Sequence, residues 1–260
     1  SGGTFVGWNW KAGGTPTTDN LVAAGGTPTA GSVKIDGANL GSALAGTIAA
    51  TRLSASTTAG FSIATFTGNQ TSGATVGHGL SQAPEMVIVK GTTFADGWGV
   101  YHFPGMGNTH GILLNSNVAE IDSVSYWNDT TASASVFSLG DDTMINKTDQ
   151  TMLAYCFHSI EGYSKVGTYT GNANADGTFV YCGFRPAYVL VRATNVVTNW
   201  NVANNKMPEY NVTNLYLTPN TAAAQSEEAF ADLLSNGFKF RNTSTSFNAA
   251  YNYLFYAIAE

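Results

Sequence analysis

Leu153-Ala154-Tyr155-Cys156-Phe157-His158-Ser159 is the stretch that decides the fold of this 260-residue chain. Two other stretches are similar to it: Leu254-Phe255-Tyr256-Ala257-Ile258-Ala259-Glu260 and Val6-Gly7-Trp8-Asn9-Trp10-Lys11-Ala12. In all three, every second side chain is large and apolar. This alternation of aromatic and branched residues predicts a half-buried β-strand. A strand that recurs along a chain indicates a repeated unit that ends on it.

The sequence between these strands is also repeated. The matching segments, in chain order, are 66–69 with 169–172, 84–90 with 186–192, and Trp98 with Trp200. The offset stays between 101 and 103 residues throughout. Because chance similarity would not keep its register over such a length, the sequence predicts two tandem units, residues 61–161 and 162–260.

The predicted fold class is all-β, with two tandem antiparallel β-sandwich repeats of jelly-roll type behind an extended N-terminal arm. Short strands with turns at intervals of about 8–12 residues are typical of such sandwiches. The strands predicted in the first unit are 61–66, 74–76, 86–90, 98–101, 112–114, 135–139 and 152–159. One helix is predicted in the second unit, because Ser226 can cap it, Glu227 and Glu228 favour its N-terminal end, and Gly237 can end it.

The arm, residues 1–60, differs from both units. A strand predicted at residues 4–10 carries Val6, Trp8 and Trp10 on one face, without a complete repeat before it. Either a preceding unit is missing, or the strand fills a place in a sheet made by another part of the assembly. Its backbone groups need partners, so we expect these three side chains to mediate assembly by strand addition to a neighbouring subunit. Residues 12–60 are rich in Gly, Ala and Thr, and they are either a flexible linker or an arm that becomes ordered against neighbouring subunits.

One short motif inside the arm has a clear local prediction. Lys34-Ile35-Asp36-Gly37 combines an alternating pair with a residue pair that is common in tight hairpin turns. It predicts a strand that ends in a turn.

Charge and cysteine content narrow the classes of function. Charged residues make up 11% of the chain and the net charge is −6 at pH 7, whereas an average domain has about 25% charged residues. A nucleic-acid partner is not expected, because phosphate binding requires clustered Lys and Arg. The sequence has no run of about 18 apolar residues that would predict a membrane span. Cys156 and Cys182 are expected to be buried hydrophobic residues without a redox role.

No arrangement of residues in the sequence identifies an enzyme. The histidines lack the close spacing of zinc ligands, and they are His78, His102, His110 and His158. Some carboxylates are available for a glycosidase pair, although nothing marks two of them as partners, and they are Glu85, Glu120, Asp122 and Glu161. The motifs of a nucleophile elbow and a phosphate-binding loop are not present. The sequence therefore predicts a protein without catalytic residues, cofactor or bound metal.

Aromatic residues give the better indication of a binding site. Trp98 and Trp200 hold the same place in the two units, either as core residues or as stacking surfaces for sugar rings, with Tyr101 nearby. Trp127 lies between predicted strands and next to Asn and Asp residues, which favours an exposed position. These four aromatic side chains are the candidate glycan-binding residues.

Several phrases of the sequence resemble a known family. They are Trp8-Asn9-Trp10-Lys11-Ala12-Gly13-Gly14, Thr58-Ala59-Gly60-Phe61-Ser62-Ile63, Val76-Gly77-His78-Gly79-Leu80, Tyr155-Cys156-Phe157, Glu161-Gly162-Tyr163-Ser164-Lys165, Gly183-Phe184-Arg185-Pro186 and Leu234-Ser235-Asn236-Gly237-Phe238-Lys239. They are similar to a repeated β domain in tail-fibre-like virion structural proteins of tailed phages of marine and aquatic bacteria. The likeness covers residues 4–14 and 58–260, whereas residues 15–57 depart from it.

The resemblance implies a non-enzymatic structural subunit of a phage virion or an extracellular filament. Its expected partners are copies of itself and other virion or filament proteins, and its expected location is the virion or the extracellular space. The alternative is a glycan-binding module that recognises a receptor on the host surface, and a polysaccharide-cleaving enzyme ranks last. The resemblance carries no catalytic residues over to this chain.

Overall fold

The structure, a computed structural model, describes residues 7–207 and 210–260. The fold is all-β, as the sequence predicts, with about 40% of residues in strands and 5% in helices. The first strands are β1 (Val33–Ile35), β2 (Ala38–Asn39), β3 (Ala50–Ser56), β4 (Phe61–Thr67), β5 (Ala74–Gly77), β6 (Met86–Gly91), β7 (Trp98–His102), β8 (His110–Leu113), β9 (Ile121–Asp122), β10 (Val136–Leu139) and β11 (Thr151–Phe157).

The C-terminal half contributes the remaining strands. They are β12 (Ser164–Thr170), β13 (Phe179–Tyr181), β14 (Pro186–Ala193), β15 (Asn201–Asn204), β16 (Thr213–Tyr216), β17 (Ser226–Leu234), β18 (Gly237–Phe240) and β19 (Asn252–Ala259). Three one-turn helices lie in the described ranges: α1 (Phe103–Met106), α2 (Val124–Trp127) and α3 (Thr143–Asn146). Among these residues, no helix has the length and apolar character needed to cross a membrane.

The strands form four stacked layers. The first outer sheet is β10-β5, and the first inner sheet has the order β2-β1-β3-β4-β11-β6-β7-β8-β9. The second inner sheet is β12-β19-β14-β15, and the second outer sheet is β13-β18-β17-β16. Hydrophobic cores fill the space between successive layers, one in each half and one, the central core, between the two inner sheets.

The stretch that decides the fold lies at the middle of this stack. In β11, Tyr155 and Phe157 face the central core, and Ala154 and Cys156 face the core of the first half. The alternation predicted from the sequence is confirmed, but the strand is covered on both faces rather than one. The second inner sheet is built the same way, because Tyr256 in β19 faces the central core while its neighbours face the other side.

The two halves pair their inner strands in the same order. β4 pairs with β11 and β11 with β6, just as β12 pairs with β19 and β19 with β14. The register corresponds as well, since Phe66 lies opposite Met152 and Tyr169 lies opposite Tyr253. The domain bounds 61–161 and 162–260 stay a prediction, and the shared central core joins the two halves directly.

The N-terminal arm is not an extended arm over its described residues. β3 pairs with β4 from Ser56 opposite Phe61 to Ala50 opposite Phe66, so the strands β1, β2 and β3 of this segment form one end of the first inner sheet. Main-chain contacts hold this segment close, because Gly37 N donates to Gly13 O at 2.7 Å. The motif at 34–37 is confirmed as a strand and turn, since β1 and β2 pair across Asp36 and Gly37.

The helix predicted after Ser226 is wrong. This segment is β17, which pairs with β16 on one side and with β18 on the other. Gly237 begins β18 after a two-residue turn, instead of capping a helix. The local signals for a helix are outweighed because Phe230 and Leu233 fill the core of the second half from within a sheet.

Candidate functional site

An aromatic cleft opens at the centre of the molecule, between the two inner sheets. Its volume is about 380 Å³ and its walls come from both halves of the chain. Its lining is almost entirely apolar and aromatic: Trp8, Trp10, Phe61, Met86, Ile88, Trp98, Leu114, Tyr155, Phe157, Tyr188, Leu190, Val202, Pro219 and Tyr256. A concave apolar site with a few polar groups is the usual form of a binding site in proteins.

Residues 7–12, which we call the strap, close one side of this cleft. The Trp8 ring meets Tyr188 edge-on with centroids 5.3 Å apart, and Trp10 meets Tyr188 at 6.0 Å. Trp10 also packs against Phe61 and Phe157, each at 6.3 Å. Within the described part of the chain, the strap makes no backbone hydrogen bond, and the first anchored group after it is Gly13 O. The two indole rings therefore hold the strap in place.

This arrangement differs from the strand predicted at Trp8 and Trp10, whereas a role of the two residues in assembly stays a prediction. Both side chains pack within their own chain in this structure, and residues 7–10 do not form a strand. Their apolar area is half-buried by the cleft, so it does not require the sheet of a neighbour. Val6 and the rest of the strand predicted from residue 4 lie outside the described residues.

The structure separates the four candidate glycan-binding residues. Trp98 lines the cleft and is half-buried there, beside the strap. Tyr101, Trp127 and Trp200 are buried, at 3%, 1% and 0% exposure. A ring enclosed on all sides has no face for a sugar, so the stacking prediction is wrong for these three.

Each of the three buried rings has a structural role. Trp127 ends α2 and meets Tyr101 edge-on at 5.5 Å, which places both in the core of the first half. The Tyr101 hydroxyl accepts from Ala132 N at 3.3 Å. Trp200 lies in the central core, and its Nε1 donates to Leu113 O at 2.8 Å, so it ties the second half to the first.

Arg192 reinforces this connection between the halves. Its guanidinium donates to the carbonyl oxygens of Leu113 and Ser116 at 2.8 and 2.9 Å, and also to that of Val118. The same group lies 5.3 Å from the centre of the Trp200 ring. Burial lowers the pKa of Arg192 to about 10, so the side chain keeps its charge at neutral pH. One buried arginine thus fixes the loop that follows β8 against the second half.

The phenol groups of the cleft are neutral. Burial raises the pKa of Tyr188 and of Tyr256 well above the usual range. Tyr256 raises the pKa of Tyr188 further, whereas a hydrogen bond with Trp10 offsets part of the increase at Tyr256. A ligand in the cleft would therefore meet apolar surface and neutral hydroxyl groups. This environment suits an aromatic or aliphatic group and disfavours a charged one.

Three buried or bonded titratable groups outside the cleft have structural roles. Glu85 accepts from the backbone N and the hydroxyl of Ser159 at 2.6 and 2.5 Å, which fastens the link between the halves. His78 and His102 are fully buried, and burial lowers the pKa of each to about 4. In the ranges that the structure describes, no three or more His, Cys, Asp or Glu residues are grouped as they would be around a metal ion.

The cysteines give a simple prediction. Cys156 and Cys182 are free and buried, and burial raises the pKa of each thiol to about 12. Because the thiolate is the reactive form, neither should react with a disulfide reagent at pH 8 while the protein is folded. Both should react after unfolding in guanidinium. Rapid labelling of a thiol in the native protein would contradict this environment.

Sequence reasoning missed one pair of aromatic residues. Phe179 and Tyr181 flank the buried Val180 on β13, and they are 43% and 64% exposed. Alternation along the strand could have placed both rings on one face. It could not have shown that this face points outward, because the sequence does not show which face of a strand is covered by another sheet.

Comparison with known proteins identifies the family. The profile described as Domain of unknown function (DUF7483) matches residues 25–260, which is most of the chain. No curated protein matched the sequence, and no solved structure matched it either. Because the profile covers both inner sheets and both outer sheets, the chain belongs to the DUF7483 family.

Proposed function

We propose that the chain is a non-enzymatic structural subunit of a phage virion or an extracellular filament, and that copies of it join through the strap. The resemblance to tail-fibre-like virion proteins supports the kind of particle. The strap supports the mode of assembly, since Trp8, Trp10 and Ala12 pack on the central core while the strap makes no backbone hydrogen bond within the described residues.

The hinge of the strap is well suited to exchange. Gly13 approaches β3 so closely that a Cβ atom would lie 1.8 Å from Ala55 O, which fixes the chain at this point. Gly14 follows with a φ of +105°, a conformation that residues with a side chain rarely adopt. The anchor therefore stays with its own subunit, and the exchange that we propose turns residues 7–12 toward the cleft of a neighbour.

Exchange of the strap between copies would preserve its contacts. Trp8 and Trp10 would meet the same lining residues in a neighbour as in their own chain, so little apolar contact is lost in the exchanged form. A space of about 380 Å³ remains beside the Trp8 and Trp10 rings, so the strap does not fill the cleft in this conformation. A linked series of subunits would follow if each strap occupies the cleft of the next.

A double variant tests this proposal. Trp8→Ser with Trp10→Ser should leave the four sheets folded but abolish assembly, because the strap loses the two rings that bind the cleft. Sedimentation velocity over a range of concentrations and negative-stain electron microscopy would measure the change. The wild-type chain is expected to form oligomers or filaments, and the variant to stay monomeric.

Leu21→Ser with Val22→Ser is the matched control. Both residues are exposed apolar side chains, at 87% and 37%, and they lie outside the strap. This control should assemble as the wild type does. A wild-type chain that stays monomeric at high micromolar concentration would overturn the proposal, and so would a Trp double variant that assembles normally.

A further inference from the structure

Two exposed aromatic rings lie on the second outer sheet, whereas the strap lies at the cleft between the two inner sheets. Phe179 and Tyr181 project from β13, which is an edge strand of the second outer sheet. We propose that these rings, with Gly237, Lys239 and Arg241 beside them, form a binding site for an uncharged polysaccharide. We call this set of five residues the aromatic platform.

The platform faces away from the core because of strand alternation. Val180 and its cross-strand partner Phe238 point into the core of the second half. Phe179 and Tyr181 therefore point outward, and they share that face with their partners Lys239 and Gly237. The backbone positions of Phe179 and Tyr181 lie about 7 Å apart along the strand, which allows each ring to contact a different sugar unit of one chain.

The Phe179 ring and the backbone at the end of β13 have close neighbours within the chain. Gly237 has no side chain, and a Cβ atom built there would lie 2.0 Å from Val180 O and 3.2 Å from the Phe179 ring. The Phe179 ring therefore leans over the glycine and covers bare backbone. The end of β13 is also fixed, because the backbone N–H groups of Cys182 and Gly183 both donate to Asn236 O, at 2.9 and 3.1 Å.

The polar groups beside the rings select an uncharged ligand. Lys239 Nζ lies 2.6 Å from an Asp176 oxygen, and Arg241 holds Asp232 through Nε and Nη2, at 2.6 and 2.5 Å. Two cations and two carboxylates thus balance each other at the platform. They leave hydrogen-bond donors and acceptors for hydroxyl groups but no net charge for an acidic polysaccharide.

Stacking on such rings is favourable for sugars in particular. One face of a pyranose ring carries several C–H groups, and these contact the electron-rich face of an aromatic ring. The sugar hydroxyl groups, which remain at the edges, then reach the ion pairs of Lys239 and Arg241. The platform therefore offers both the apolar and the polar contacts that a polysaccharide needs.

Native affinity electrophoresis tests the proposal. The chain would be run in gels that contain dextran, mannan, laminarin or arabinogalactan, with alginate as the acidic comparison. Retardation is expected in at least one neutral gel. Phe179→Ala and Tyr181→Ala should each weaken binding about tenfold, since each removes one stacking contact, and the double variant should migrate as it does without polysaccharide.

Two matched variants control for loss of exposed apolar surface. Tyr210→Ala and Val197→Ala remove side chains that are 80% and 63% exposed and lie away from β13. Both should bind as the wild type does. The proposal is overturned if no neutral gel retards the chain, if only alginate does, or if the Phe179 and Tyr181 double variant binds normally. Loss of oligomers without loss of sugar binding in that variant would assign the rings to self-association instead.

This inference is independent of the assembly proposal. The strap variant leaves the platform intact, so it should still bind the neutral polysaccharide as a monomer. The platform variant leaves the strap intact, so it should still assemble. Either proposal can therefore be overturned without overturning the other.

Discussion

Arg192→Met is expected to lower the free energy of unfolding by about 3–5 kcal/mol. The guanidinium donates to three carbonyl oxygens, one at the end of β8 and two on the loop after it, and a methionine cannot replace any of these bonds. Burial of the arginine beside Trp200 makes each charge-assisted bond stronger than it would be at the surface. For a chain of this size, the change corresponds to a decrease of about 10 °C in the melting temperature.

Two further arginine variants test whether the loss of stability is specific to the contacts of Arg192. Arg192→Lys keeps the charge but has a single ammonium group, so it should recover only part of the lost stability. Arg185→Met removes a half-exposed side chain that pairs with Glu260 at the surface, and it should cost less than about 1 kcal/mol. Calorimetry or chemical denaturation measures all three. An Arg192→Met protein as stable as Arg185→Met would show that the halves do not depend on this contact.

Hydrogen exchange adds a local measurement. The loop after β8 is also tied to the second half by the backbone bonds Thr198 N to Asn117 O and Glu120 N to Thr194 O. In Arg192→Met, the amides of Thr198 and Glu120 should exchange faster than in the wild type. Unchanged exchange at both amides would indicate that the arginine is not what holds the loop.

The strands were predictable because their signal is local. A continuous apolar run at 86–90 and alternation at 152–159 predict strands, and β6 and β11 occupy these positions. The pairing of equivalent strands also follows the sequence offset, as at Phe66 and Tyr169. Alternation alone does not reveal what covers the second face, so the central core was not predicted.

The errors arise where distant residues decide the outcome. The segment after Ser226 has local signals of a helix, but pairing with β16 and β18 holds it in the extended conformation of a strand. Trp127 has polar neighbours in sequence, yet it packs on Tyr101 from a different part of the chain. The cleft itself combines residues from both halves, and no local pattern shows that Trp98 and Trp8 line the same cavity.

Lowering the pH from 6.5 toward 4 is expected to destabilise the protein through His78 and His102. Burial is the main reason that the pKa of each folded imidazole falls to about 4, below the usual value of about 6.5. Between these two pH values the unfolded chain binds more protons than the folded chain, so the free energy of unfolding decreases as the pH falls. The loss approaches about 3 kcal/mol for each histidine by pH 4, and it is absent above pH 7.

The hydrogen bonds of both rings explain why protonation is unfavourable. In His102, Nδ1 accepts from Gly105 N at 3.2 Å, and Nε2 donates to Phe255 O at 3.3 Å. In His78, Nδ1 likewise accepts from Leu80 N at 3.1 Å, and Nε2 donates to Ser133 O at 3.1 Å. A proton added at Nδ1 would face an N–H group in both cases, and it would place a charge in the interior.

Melting temperatures measured between pH 7.5 and pH 5 test this prediction, because most carboxylates are still ionised in that range. His102→Gln and His78→Gln should each lower stability at pH 7.5 but reduce the dependence on pH, since neither glutamine takes up a proton. His110→Gln is the matched control, because this ring is only partly buried and bonds Thr109. It should keep the full wild-type slope. A wild-type melting temperature that does not change over this range would show that neither buried imidazole is excluded from protonation in the folded state.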